Sequence, residues 1–172
     1  GDGDGYGIGL GHALHAVRRN VDITYIVHDN QIYGLTKGQT SPTSEKGTVS
    51  KSTPYGSIEV PVDPIPLAID MGATFVARGF SGNVKQLTEL IVSGMQHKGF
   101  ALIDAMQPCV TYNHHNTFHW FYQRIYELEQ EHHDPSNKAK AWARARRLSL
   151  SQAVAALFAQ LPDRRSPPSL SP

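Results

Sequence analysis

Gly1-Asp2-Gly3-Asp4-Gly5-Tyr6-Gly7-Ile8-Gly9-Leu10 opens the chain, and His28-Asp29-Asn30-Gln31-Ile32-Tyr33-Gly34-Leu35-Thr36-Lys37-Gly38-Gln39 answers it. The 26 residues between Gly3 and Asn30 comprise a glycine-rich segment, an apolar run suited to a helix, and the strand-like Ile23-Thr24-Tyr25-Ile26-Val27. A strand–helix–strand crossover of that length returns the chain parallel to its start. It sets Asp2 and Asn30 side by side at the carboxyl ends of neighbouring parallel strands. Open α/β sheets bind ligands at that edge.

An acid and an amide so placed suit a diphosphate carried on Mg²⁺, which bridges phosphate oxygens while keeping one or two protein oxygens as ligands. Asp2 supplies a charged oxygen, Asn30 a neutral one, and the backbone carbonyl at Ile32 a third. The alternating glycines let the backbone approach phosphate closely, and the positive end of the following helix points there. No frame of these glycines reads G-x-G-x-x-G, which argues against a nicotinamide or flavin dinucleotide turn.

The rest of the chain alternates helix and strand. Gly7 to Arg19 reads as a helix with Ile8, Leu10, Leu14 and Val17 on its apolar face, and His12 and His15 beside it. The β-branched strand 23–27 suits a central parallel position. Residues 31–63, rich in Gly, Ser, Thr and Pro, form a loop long enough to be functional. Pro64 to Met71 reads as a short helix begun by proline. Thr74 to Arg78 is a strand, and Asn83 to His97 a helix with Val84, Leu87, Leu90, Ile91 and Met95 inward. Gly99 breaks it before the buried strand Phe100 to Ala105. Phe118 to Glu131 is an aromatic-rich helix for core or subunit interface, followed by a second through Arg147. This pattern predicts an α/β fold with a doubly wound, mostly parallel sheet.

Composition narrows the classes of function. A 172-residue chain with 40% apolar residues supports one domain with a real core, and no apolar run approaches the ~18 residues of a membrane span. A net charge of +1 points away from nucleic acid. The one cysteine, Cys109, excludes an internal disulfide and fits a reducing, cytoplasmic compartment. His115 and His119 stand at the spacing of a helical zinc pair, an arrangement more consistent here with surface histidines. Arg144, Arg146 and Arg147 read as a solvated face.

Taken together, GDGDGYGIGLGHALHAVRRN, VHDNQIYGLTKGQTSPTS, Lys51 to Ile58, Gly72 to Gly79 and Gln107-Pro108-Cys109-Val110-Thr111-Tyr112-Asn113 resemble, in order, the β subunit of the 2-oxoacid:ferredoxin oxidoreductases. The resemblance covers roughly residues 1–145. It implies the thiamin-diphosphate-binding fold over residues 1–147, with 148–172 a divergent helix (149–161) and a disordered tail. It implies thiamin diphosphate with Mg²⁺, contacted by Asp2, Gly3, Asp4, Asn30, Ile32, Gly34, Leu35 and Thr36, the metal held by Asp2, Asn30 and Ile32. Lys37 takes the position associated with 2-oxoacid recognition, and LTKGQ looks like the broad-range or 2-oxoglutarate branch. Cys109 matches the last thiolate of a four-iron four-sulfur cluster whose other cysteines belong upstream, so the cluster is expected only in the intact protein. A chain starting at Gly1, inside the motif, reads as an amino-terminally truncated fragment. The implied reaction is oxidative decarboxylation of 2-oxoglutarate or pyruvate to an acyl-CoA, with electrons passing to ferredoxin. An α subunit is the implied partner, and the activating glutamate comes in such enzymes from another chain or domain, so no catalytic acid or base is assigned here. Two rivals stand beside this reading: a non-oxidative thiamin-dependent decarboxylase or synthase, and a non-catalytic remnant.

Overall fold

The computed structural model describes residues 1–127. Its framework is a three-stranded parallel sheet in the order β1-β5-β4, formed by β1 (Ile23–Asp29), β4 (Phe75–Phe80) and β5 (Phe100–Met106). The strand expected at 23–27 forms but sits at one side of the described sheet. Ile23 and Ile26 are 42% and 37% exposed, whereas β5 is buried from Phe100 to Ala105. The central place belongs to Phe-Ala-Leu-Ile-Asp-Ala, whose side chains meet protein on both faces.

Side chains on β5 alternate between two layers, as the strand period demands. Phe100 and Leu102 face a cluster with Tyr6, Val17, Val27, Ala68 and Ala73, joined by Leu10, Tyr25, Met71 and Val76. That layer holds α1 (Leu10–Arg19) and α2 (Pro64–Asp70), the latter capped by Asp63 with Pro64 in its first turn. Ala101 and Ile103 face α3 (Val84–Gln96), which comes so close that a Cβ on Gly94 would lie 2.9 Å from Ile103 Cδ1. Helices thus cover both faces, and the α/β doubly wound expectation holds.

Three local expectations are corrected. The first helix is broken: residues Asp4–Ile8 form a wide π-type turn kinked at Gly7, and α1 begins only at Leu10. Ile8 is consequently 89% exposed, and Tyr6 takes the core place assigned to it. On α3, Val84 and Met95 are exposed, because the helix rests on Leu87, Leu90 and Gly94 instead. The aromatic helix α4 spans only Phe118–Tyr122, with Phe121 packed on Phe80 at a ring separation of 5.2 Å. The later helices through Arg147 and over 149–161, the Arg144, Arg146 and Arg147 face, and the tail lie outside the described residues.

The long segment 31–63 is also more ordered than a plain loop. It starts with an antiparallel hairpin, β2 (Ile32–Tyr33) and β3 (Gln39–Thr40), whose tip is the Gly34–Gly38 stretch. Among the described residues no helix is long and apolar enough to cross a membrane. Ile103, fully buried between β5 and α3, is the most sensitive test of this packing. Ile103→Ala is expected to cost about 2–5 kcal/mol, read as a lowered denaturation midpoint at unchanged m-value.

Candidate functional site

The carboxyl edge of the sheet gathers the residues that the motif predicted. Gly1 lies against β1, where a Cβ would stand 3.7 Å from the His28 carbonyl oxygen. Asp2, next in line, is 1% exposed. Its Oδ1 accepts the Asn30 N–H at 3.3 Å, and its Oδ2 lies 2.8 Å from the Thr43 hydroxyl. Asn30 folds its own side chain forward, Oδ1 accepting the Ile32 N–H at 3.1 Å in an Asx turn. Gln31 between them adopts a left-handed φ of 60°, and its carbonyl accepts from the Ser44 hydroxyl at 2.5 Å. Tyr33 closes the assembly, donating its hydroxyl to the Gly3 carbonyl at 2.7 Å.

Some of the alternating glycines also have a packing reason. A Cβ on Gly3 would fall 2.3 Å from the Tyr33 ring, and one on Gly5 would meet the Tyr25 hydroxyl at 2.7 Å. These glycines make room for tyrosines that wedge the turn against the sheet.

The remaining predicted residues are spread more widely. Asp4 is exposed, and its carbonyl accepts from Gly9 N–H at 2.7 Å. Leu35, Thr36 and Lys37 stand at the hairpin tip, Leu35 being 99% exposed. Thr36 donates to Gln39 Oε1 at 2.6 Å. Lys37 adopts a left-handed φ of 77° and is exposed, and no ion pair engages it among the described residues. Gly34 and Cys109 approach each other: Sγ lies 3.9 Å from where a Gly34 Cβ would be.

Cys109 belongs to a loop after β5 that folds back on the motif. Asn113 Nδ2 donates to the Asn30 carbonyl at 3.4 Å and to Asn116 Oδ1 at 3.1 Å. Asn116 in turn donates to Glu45 Oε1 at 3.2 Å, tying in the long loop. Between these loops opens a cleft of about 500 Å³, lined by Gln31, Ile32, Glu45, Thr48, Tyr112 and Asn113 among others. His115 faces Glu45 at 3.8 Å, and His119 pairs with Gln123. The two histidines of the zinc-like spacing thus have separate partners.

Comparison with known proteins matches this geometry to a family. Residues 1–105 match the thiamine pyrophosphate enzyme C-terminal TPP binding domain, and residues 109–151 match the C-terminal region of the pyruvate ferredoxin oxidoreductase beta chain. The chain belongs to the β-subunit family of the 2-oxoacid:ferredoxin oxidoreductases. It is 57% identical over 129 residues to a 2-oxoacid:ferredoxin oxidoreductase subunit beta of Sulfolobus sp, covering 75% of this chain and 42% of that one. It is 49% identical over 113 residues to the 2-oxoglutarate oxidoreductase subunit KorB of Mycobacterium tuberculosis, covering 66% of this chain and 30% of that one. A solved 2-oxoglutarate:ferredoxin oxidoreductase from Magnetococcus marinus, with 2-oxoglutarate, coenzyme A and succinyl-CoA bound, superposes with a TM-score of 0.78 at 38% identity. That alignment covers 92% of this chain and 60% of the solved one. The chain spans less than half the length of these two curated relatives.

Four buried residues that the motif reading assigned no role are knitted to the candidate site: Tyr6, Asp29, Thr43 and Asp104. Asp104 is 0% exposed on the central strand, where it accepts from the Tyr6 hydroxyl at 2.9 Å and from Arg78 Nε at 2.7 Å. An acid in the middle of an apolar strand was the available signal, since buried carboxylates require partners. Asp29, 6% exposed, has its Oδ1 2.7 Å from the Thr43 hydroxyl and accepts the Gln31 N–H at 3.3 Å. Thr43 therefore contacts two carboxylates but has a single hydrogen to give. The second contact needs a proton from a carboxyl group. Burial first, then the charge of Asp104, raises Asp29 to about 7 against the lowering effect of the Thr43 hydrogen bond, so its protonated form is favoured below that pH.

The sign of the resulting pH dependence follows from linkage. An acid raised from 3.8 to about 7 binds more protons in the folded state across that window. Its stabilising contribution is complete below its unfolded pKa and is lost as pH rises through about 7. Asp104, also raised by burial despite Arg78, acts in the same direction. In metal-free protein, Asp29→Asn should flatten the fall in melting temperature between pH 4 and about 8 relative to wild type. Parallel curves for the two proteins would show that Asp29 carries no proton there.

Proposed function

We propose that this chain is the thiamin-diphosphate-binding part of a 2-oxoacid:ferredoxin oxidoreductase β subunit. In the whole enzyme it would act in oxidative decarboxylation of 2-oxoglutarate or pyruvate to the acyl-CoA. The observation that carries the reading is the contact of Asp2 with the Asn30 turn, 28 residues apart in sequence. That contact brings the Asp2 carboxylate against the backbone of the turn that carries Asn30, at the ligand-binding edge of a parallel sheet.

The donor set fits Mg²⁺, a hard cation that prefers oxygen. Each Asp2 oxygen accepts one hydrogen bond, so each keeps a lone pair for a metal. Asn30 Oδ1 also accepts one and keeps one. Asp2, Asn30 and the Ile32 carbonyl would hold the ion. Gly3, Asp4, Gly34, Leu35 and Thr36 would flank the coenzyme. When bound, thiamin diphosphate supplies the nucleophilic carbon and the electron sink that decarboxylation of a 2-oxoacid requires.

The remaining roles fall to this chain's own side chains. Lys37, exposed at the hairpin tip and outside every ion pair among the described residues, would hold the substrate carboxylate as a fixed cation. Cys109, against Gly34, would ligate a four-iron four-sulfur cluster in the intact protein, next to the coenzyme loop. An α subunit would complete the active site, coenzyme A would accept the acyl group and ferredoxin the electrons, in the cytoplasm.

A ligand that binds only the folded state raises its melting temperature. With its partner chain, the protein should be stabilised by thiamin diphosphate plus Mg²⁺, by about 2.7 kcal/mol at a hundredfold excess over Kd. Asp2→Asn keeps the shape and removes the charge, and should abolish the shift; a shift of wild-type size in that variant would refute the site. Lys37→Ala should raise KM for the 2-oxoacid in ferredoxin reduction with a smaller change in kcat.

A further inference from the structure

The turn Ser41-Pro42-Thr43-Ser44 closes the second motif stretch with no role assigned to it, yet it is among the most buried polar segments described. Ser41, Thr43 and Ser44 are 5%, 4% and 4% exposed. Ser44 Oγ accepts the Ser41 N–H at 2.8 Å while donating to the Gln31 carbonyl. Pro42 accepts the Val62 N–H at 2.8 Å, fixing the turn to the far end of the long loop. Thr43 Oγ1 reaches Asp2 Oδ2 at 2.8 Å and Asp29 Oδ1 at 2.7 Å. One turn therefore grips both halves of the site, the Gly1–Gly3 segment through Asp2 and the 29–32 turn through Asp29 and Gln31.

This clamp goes beyond what a fold needs at that point. Asp2 already has a donor in the Asn30 N–H, 3.3 Å away and consequently weak. The shorter contact to Thr43 sets the second oxygen and with it the rotation of the carboxylate. Threonine suits the task better than serine, because its branched Cβ restricts χ1 and presents the hydroxyl in one direction. Groups that orient a metal ligand from behind typically change metal affinity by about 10–100-fold.

We propose that Thr43 is the positioning residue for the metal-binding carboxylate, holding Asp2 in its ligating orientation before the cation arrives. The proposal rests on the reading of Asp2 as a metal ligand. Thr43 touches neither metal nor coenzyme and acts through Asp2.

The test is Mn²⁺ titration by electron paramagnetic resonance on the full protein with its partner chain and thiamin diphosphate. Thr43→Val, which keeps the shape and removes the hydroxyl, should raise the Mn²⁺ Kd about 10–100-fold, and Thr43→Ser should restore most of it. Thr74→Val is the control for stability alone. Thr74 donates to Asn20 Oδ1 at 2.8 Å at the opposite edge of the sheet, so its loss should lower the melting temperature and leave the Mn²⁺ Kd unchanged. Should Thr43→Val not fold, Thr43→Cys gives the same comparison with a weak donor in the same place. Wild-type Mn²⁺ affinity in Thr43→Val, or an equal loss in Thr74→Val, overturns the proposal. Absence of Mn²⁺ binding in wild type would instead overturn the metal site itself, and the proposal with it.

Discussion

Three carboxylates, Asp2, Asp29 and Asp104, are buried together along one edge of a three-stranded sheet. A buried acid is tolerable only when hydrogen-bonded or neutralised. Each here depends on a group from elsewhere in the chain: Thr43 from the long loop for Asp2 and Asp29, Tyr6 and Arg78 for Asp104. The architecture of this edge follows from that requirement. The loop must return to the sheet, the glycine-rich turn must place Tyr6 over β5, and Arg78 must lie beside Asp104 in the parallel register.

The same requirement links fold to function. Asp104 anchors Tyr6, and Tyr6 lies four residues after Asp2 in the same turn. This edge is thereby fastened to the most buried strand, so the proposed metal ligands sit on a rigid support. From the other side, Asn113 and Asn116 tie the Cys109 loop to Asn30 and Glu45. A cysteine proposed to lead electrons away is held within reach of the turn proposed to hold the coenzyme. By contrast the hairpin tip bearing Leu35, Thr36 and Lys37 is exposed, as suits the substrate contact proposed for Lys37.

The glycines show how a correct family reading can rest on an incomplete physical cause. Their alternation marked the motif, but their space is filled by Tyr33 and Tyr25. What they permit is aromatic packing that stiffens the turn.

Local pattern was enough to recover the alternation of helix and strand, the α/β class and the pairing of Asp2 with Asn30. Period and spacing carry the alternation and the class, but the described residues have no strand leading into Asp2, which meets the Asn30 turn from the start of a helical turn instead. Ile8, Val84 and Met95 were misplaced because helical phase does not reveal where a turn kinks or which neighbour a helix leans on. Strand β1 looked central because β-branched residues also suit a strand with one open side. Thr43, Asp29, Tyr6 and Asp104 were illegible for a deeper reason. Their roles arise from contacts between residues as many as 98 positions apart, which no window of sequence contains. Residue types and spacing thus named the chemical groups that reach this edge, whereas folding chose which of them are buried together and which partner each one meets, since burial and proximity exist only in the folded chain.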